Sequence, residues 1–211
     1  MADEILKNVV SFVVTADQDV EQNFVTVTFS ASETGTDANK VQAALAVKLK
    51  DALDIAKAKQ VPDQVEVRSG AFQINPTYDK KSAINGYQGY VNMVVSGTDT
   101  TIITGLTGEI KSMNVASVQQ SVSPSRRKEV EQILSLKVIQ MWREKATAYS
   151  DAFGAKSYSL VNANISVSDA YRPYARAMSA ALESVGDGAI SVEPGKETLT
   201  ATINGTVQLS C

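Results

Sequence analysis

The longest coherent pattern of apolar and polar positions in the chain runs from Ser121 to Gly154. Within it Val130, Leu134, Val138, Met141, Trp142, Tyr149, Ala152 and Phe153 recur at three- and four-residue spacings, which lays one apolar stripe along a helix. Ser123 suits the N-cap and Pro124 the first helical position, where a missing N–H costs nothing. Gly154 marks the stop. The stripe calls for a sheet beneath it. Ile133, Leu136 and Ile139 fall outside the stripe, so the middle of the helix is apolar almost all round and needs cover on a second side, from another helix or a second subunit. Lys145, inside the stripe, is expected to lay its stem on the core and lift its ammonium to water.

Upstream, residues 8–16 and 20–31 are rich in β-branched and aromatic residues, and Val25, Val27 and Phe29 alternate with Thr26, Thr28 and Ser30. Two strands are expected, with Asp17 to Asp19 as their turn. Thr36 or Asp37 then caps a helix whose stripe is Val41, Leu45, Leu49, Ala52, Leu53 and Ala56, ending near Gln60 ahead of Pro62. Residues 64–76 and 86–96 read as a long hairpin, the first strand broken at Ser69-Gly70. Asp99 caps a helix through Ile102, Ile103, Leu106, Ile110 and Met113, in which Gly105 and Gly108 are expected to permit close packing. A strand over 114–122 follows. The order over residues 20–122 is βαββαβ, the split βαβ arrangement. The fold class is therefore α+β: a ferredoxin-like βαββαβ sheet elaborated by an N-terminal strand, one long helix in the C-terminal half and additional strands.

After Gly154, residues 156–168 alternate like a strand, and residues 169–196 form a long excursion with a short helical piece around 174–184. Residues 197–209 close the chain as a strand kinked at Gly205. Residues 1–211 are read as a single domain, with sub-regions 8–122 and 123–211.

Composition narrows the class. At 44% hydrophobic and 20% charged residues the chain is globular, and a formal charge of -3 with no long basic run and few aromatics makes nucleic acid an unsuitable partner. There is no histidine, which removes the commonest general base and metal ligand. The one cysteine, Cys211, is the last residue and offers no internal disulfide. No apolar run has the length of a membrane span, so the chain reads as soluble, with membrane association at most peripheral.

Phosphate loops, dinucleotide fingerprints and nucleophile elbows are absent from the sequence. Pairs such as Glu129 and Glu131, or Asp51 and Asp54, fit a solvated helix face better than acid/base work. No catalytic, metal or cofactor residue is assigned. Two surface candidates remain. Ser125, Arg126, Arg127 and Lys128 place cations beside the free amides of a helix start, which offers either a solvated basic turn or a patch for an anion or acidic partner. Tyr171, Arg172, Tyr174, Arg176 and Met178 carry residue types enriched at interfaces, within the 169–196 excursion.

Several stretches in order, NVVSFVVTADQDVEQNFVTVTFSASETGTDA, VEVRSGAFQINPTYD, INGYQGYVNMVVSGTD, the long-helix block from Val115 to Gly154 and the closing VEPGKETLTATINGTVQL, resemble the SIMPL domain family from about Asn8 to Leu209. The resemblance implies a bacterial envelope protein, usually exported to the periplasm, of a family whose members include immunogenic antigens, ring-shaped or channel-like oligomers and proteins linked to envelope stress. A eukaryotic relative is an adaptor that binds an interleukin-receptor-associated kinase. The family brings no catalytic residues.

These readings converge on a non-catalytic envelope protein that self-assembles through Ile133, Leu136 and Ile139 of the long helix, with the late excursion as a second contact. It is periplasmic or secreted if a leader has been removed, and cytoplasmic if Met1 is the native start. The alternative is a monomeric protein-binding adaptor using residues 169–196 or 125–128; an enzyme of unknown type is the distant third.

Overall fold

The computed structural model describes residues 7–169 and 193–210. In chain order its elements are β1 (Val9–Glu21), β2 (Phe24–Gly35), α1 (Ala38–Ala58), β3 (Val65–Tyr78), β4 (Ile84–Gly97), α2 (Thr100–Glu109), β5 (Asn114–Ser121), α3 (Pro124–Ala152), β6 (Ser157–Asp169) and β7 (Lys196–Ser210). They fall into two compact units, one holding β2, α1, β3, β4, α2 and β5, the other β1, α3, β6 and β7.

The first unit is the expected split βαβ sheet, antiparallel throughout with strand order β3-β4-β2-β5. Alternation on β2 turns Val25, Val27, Phe29 and Ala31 to one face, where they meet Val91, Met93 and Val95 of β4. Val41, Leu45, Ala52 and Ala56 of α1, with Ile103 and Leu106 of α2, cover that face. Asp37 caps α1 by accepting from the amides of Asn39 and Lys40, and Asp99 caps α2 by accepting from Ile102. The expected break at Ser69-Gly70 is a shift of register between Ser69 and Phe72 in an otherwise continuous strand. Gly105 differs from expectation: a Cβ built there meets nothing within 4 Å, so it opens no close approach.

The second unit is a three-stranded antiparallel sheet, β1-β7-β6, with α3 on one face. The turn expected at Asp17 to Asp19 does not form. β1 runs through it, pairing with β7 from Val9↔Gln208 to Glu21↔Lys196, and the chain leaves the strand only at Gln22-Asn23. Asp17 and Asp19 stay in the ladder because Thr200 and Thr198 directly opposite donate hydroxyls to them, at 2.7 and 2.6 Å. β1 and β2 are thus strands of different sheets, and the N-terminal part of the anticipated 8–122 sub-region belongs with the long helix.

Buried on α3 are Val130, Leu134, Val138, Trp142, Ala146 and Ser150. The spacing is four throughout. Four residues overshoot a turn of 3.6, so this row slants across the helix, and the three-spaced positions drift to its flanks. Met141, Ala152 and Phe153, expected in the stripe, are accordingly exposed, Phe153 by 66%. At the centre of the row the Trp142 indole stacks on Phe12, centroids 5.0 Å apart, and Phe12 meets Tyr149 edge-on at 5.0 Å. The indole lies over Gly205: a Cβ there would come within 2.6 Å of its ring. The kink expected at Gly205 is absent, since β7 pairs through that residue with both Phe12 and Ala163. Glycine is needed there to admit the ring.

Two stability outcomes follow. Gly205→Val overpacks the indole and is expected to lower stability by about 1–3 kcal/mol. Gly105→Ala, in open space within a helix, is expected to raise it by about 1 kcal/mol. Urea unfolding midpoints at fixed slope check both.

Candidate functional site

The surface of the second unit gathers most of the candidate residues of α3. Leu136 is 71% exposed and Ile133 48%, while Ile139 is half-buried. All three lie off the slanting buried row. Leu136 joins two shallow depressions on the flank of the helix, one completed by Lys128, Glu131, Gln132, Ser135 and Val167, the other by Ile139, Gln140, Arg143 and Tyr158. Val167 and Tyr158 both come from β6, so this flank and that strand enclose one open groove.

Residues 156–168 were expected to alternate like a strand, and β6 is that strand. Apart from Tyr158 and Val167, all its residues are exposed, including Leu160 at 60% and Ile165. Its register with β7 explains which way they point: Leu160 opposes Val207 and Ile165 opposes Ile203, and both partners are buried on the helix side. Opposed residues share a face. Leu160 and Ile165 therefore stand on the same face as α3, beyond the width that the helix covers. Sequence alternation reveals a strand of this kind, but not its place at the edge of a sheet.

The basic turn at residues 125–128 is tied up with carboxylates. Arg126 donates to Glu129 at 2.8 Å. Arg127 donates through Nη1 to Asp169 at 2.6 Å and through Nη2 to Glu197, with Glu131 3.9 Å away. Its guanidinium thus joins the first turn of α3 to the end of β6 and the start of β7. That hydrogen bond to Asp169 raises the Arg127 pKa further and holds the Asp169 carboxyl below its usual value. Lys128 remains exposed at the rim of the groove.

Lys145 places its ammonium 5.9 Å from the Phe12 ring centroid and 5.7 Å from that of Tyr149, so its stem follows the core and its charge meets aromatic faces. Tyr171, Arg172, Tyr174, Arg176 and Met178 lie outside the described residues. Among the described residues no group of three or more His, Cys, Asp or Glu side chains is placed to hold a metal ion, and no helix is long and apolar enough to cross a membrane.

The Arg127–Asp169 pair has a defined pH signature. Because the folded carboxyl titrates below the unfolded one, the pair's contribution is complete above about pH 4 and fades as pH falls through the lower folded value. Asp169 is 58% exposed, so the contribution stays below about 1 kcal/mol. Asp169→Asn is expected to unfold at lower urea than the parent at pH 7, with the two midpoints converging as pH falls through the lowered value of the folded carboxyl.

Comparison with curated proteins finds no match. A family model described as SIMPL, protein of unknown function (DUF541), matches residues 10–207, a span that begins inside β1 and ends inside β7. With nearly the whole chain matched, including strands of both sheets, the protein belongs to the SIMPL family.

Proposed function

We propose that this chain is a non-catalytic protein of the bacterial envelope, exported to the periplasm in its native form, that works by assembling with further copies of itself. One observation carries the reading: Leu136, which lines both depressions on the flank of α3, is 71% exposed, and Leu160, on the face of β6 that α3 shares, is 60% exposed. Isolated exposed apolar residues are ordinary, but several on one helix and on the same face of the adjacent strand fit a surface that another protein covers. Family membership supports the envelope setting and the link to envelope stress that the resemblance implies. The absence of histidine from the sequence supports a binding role over acid/base chemistry.

Light scattering of the purified chain over a dilution series, with reductant to exclude linkage through Cys211, is expected to give a stable multiple of 22.5 kDa. Leu136→Glu is expected to reduce that multiple while leaving the circular dichroism spectrum and urea midpoint close to those of the parent. A chain of monomer mass at every concentration would overturn self-assembly.

A further inference from the structure

We propose that β6 is the strand by which two copies of this chain join, pairing antiparallel with β6 of the partner subunit about a two-fold axis perpendicular to the sheet. The proposal rests on the self-assembly reading and names its surface.

The sheet edges differ in how they resist such pairing. β1 carries Asp17, Asp19 and Glu21; β3 carries Glu66, Arg68, Pro76 and a bulge; β5 is only 8 residues long. Charges, proline, bulges and brevity are the devices that keep an edge from accepting a new strand. β6 spans 13 residues, and from Ser157 to Ser168 it contains no charged residue and no proline. Its one irregularity is a shift of register between Leu160 and Asn162.

That shift restricts the register. Before it, Tyr158 and Leu160 face the helix side; after it, Ala163, Ile165 and Val167 do. Opposed residues must share a face, so the two arms of β6 match across a dyad only where an even-numbered position before the shift meets an odd-numbered one after it, and among such registers the one with Leu160 opposite Ile165 and Tyr158 opposite Val167 sets large apolar side chains against each other in both pairs. The interrupted stretch then falls at the dyad itself. The same register places Lys156 opposite Asp169 of the partner subunit at both ends. There three carboxylates, Asp169, Glu197 and Glu131, share the Arg127 guanidinium, and a further cation from the partner complements the excess of acid. A two-fold axis perpendicular to the sheet keeps both copies of α3 on one face. The exposed Leu160 and Ile165 become the floor of a trough between the helices, and Leu136 and Ile139 lie on its sides.

Thiol cross-linking tests the register. In a Cys211→Ser background, Leu160→Cys and Ile165→Cys both fall on exposed positions that leave the core intact. Opposed Cβ atoms lie about 5 Å apart, whereas like residues, five positions along, lie about 17 Å apart. A short bifunctional maleimide is expected to convert the double variant to covalent dimer, and an equimolar, re-equilibrated mixture of the two single variants to about half that extent, while each single variant alone stays at monomer mass on a denaturing gel. Lys156→Glu is expected to raise the midpoint of dissociation on dilution several-fold. A chain that light scattering shows as an oligomer but that gives no 160–165 cross-link would overturn β6 pairing and leave self-assembly standing. A monomer throughout would overturn both.

Discussion

The contact on which the second unit depends is the Trp142 indole lying flat over Gly205. Everything nearby is arranged around it. A side chain at residue 205 would meet the ring within 2.6 Å, so the strand carries glycine, and Phe12 on the neighbouring strand supplies the stacking surface that glycine lacks. With the ring seated, every fourth residue of α3 from Val130 to Ser150 lies on the sheet. That slanting row decides which side chains of the helix are left over. The exposed Leu136 follows from how the helix is laid down.

Much of the first unit can be read from residues alone, because its signals are local. Asp37 and Asp99 stand where a cap is needed, and Val25, Val27 and Phe29 alternate as a half-buried strand must. The second unit yields less, since its strands find partners far away in sequence. β1 pairs with β7, whose residues lie about 190 positions on, and no local pattern distinguishes that ladder from a hairpin with β2. Asp17, Gln18 and Asp19 have the composition of a turn, and only the threonines of a distant strand make them part of a ladder. The helix was legible in its bounds and in part of its face, for Val130, Leu134, Val138 and Trp142 are buried as the spacing predicts. Met141 and Phe153 fit a stripe with mixed spacing, but packing along a strict four-residue row excludes them.

For the surface, the residue types of α3 pointed correctly to an apolar surplus, whereas β6 was hidden. Its alternation is that of any strand with one buried face, and burial depends on how far the helix above it reaches. The basic turn changed meaning for a similar reason. Three consecutive cations invite an anion, yet the fold brings Asp169 and Glu197 onto Arg127 from strands far along the chain. The outcome is an intramolecular clasp at one end of the groove, with its charges largely satisfied and its carboxylates in excess.

Trp142 is the only tryptophan in the chain, and it is buried to 4% exposure against Phe12. Indole emission therefore reports one place, the seat of the long helix on its three-stranded sheet. The split βαβ unit contains no indole and is silent at those wavelengths, although its helices contribute to far-ultraviolet dichroism. Two optical signals from an unlabelled chain thus separate the melting of one half from that of the whole, and their coincidence or divergence tells whether the halves unfold as one cooperative body.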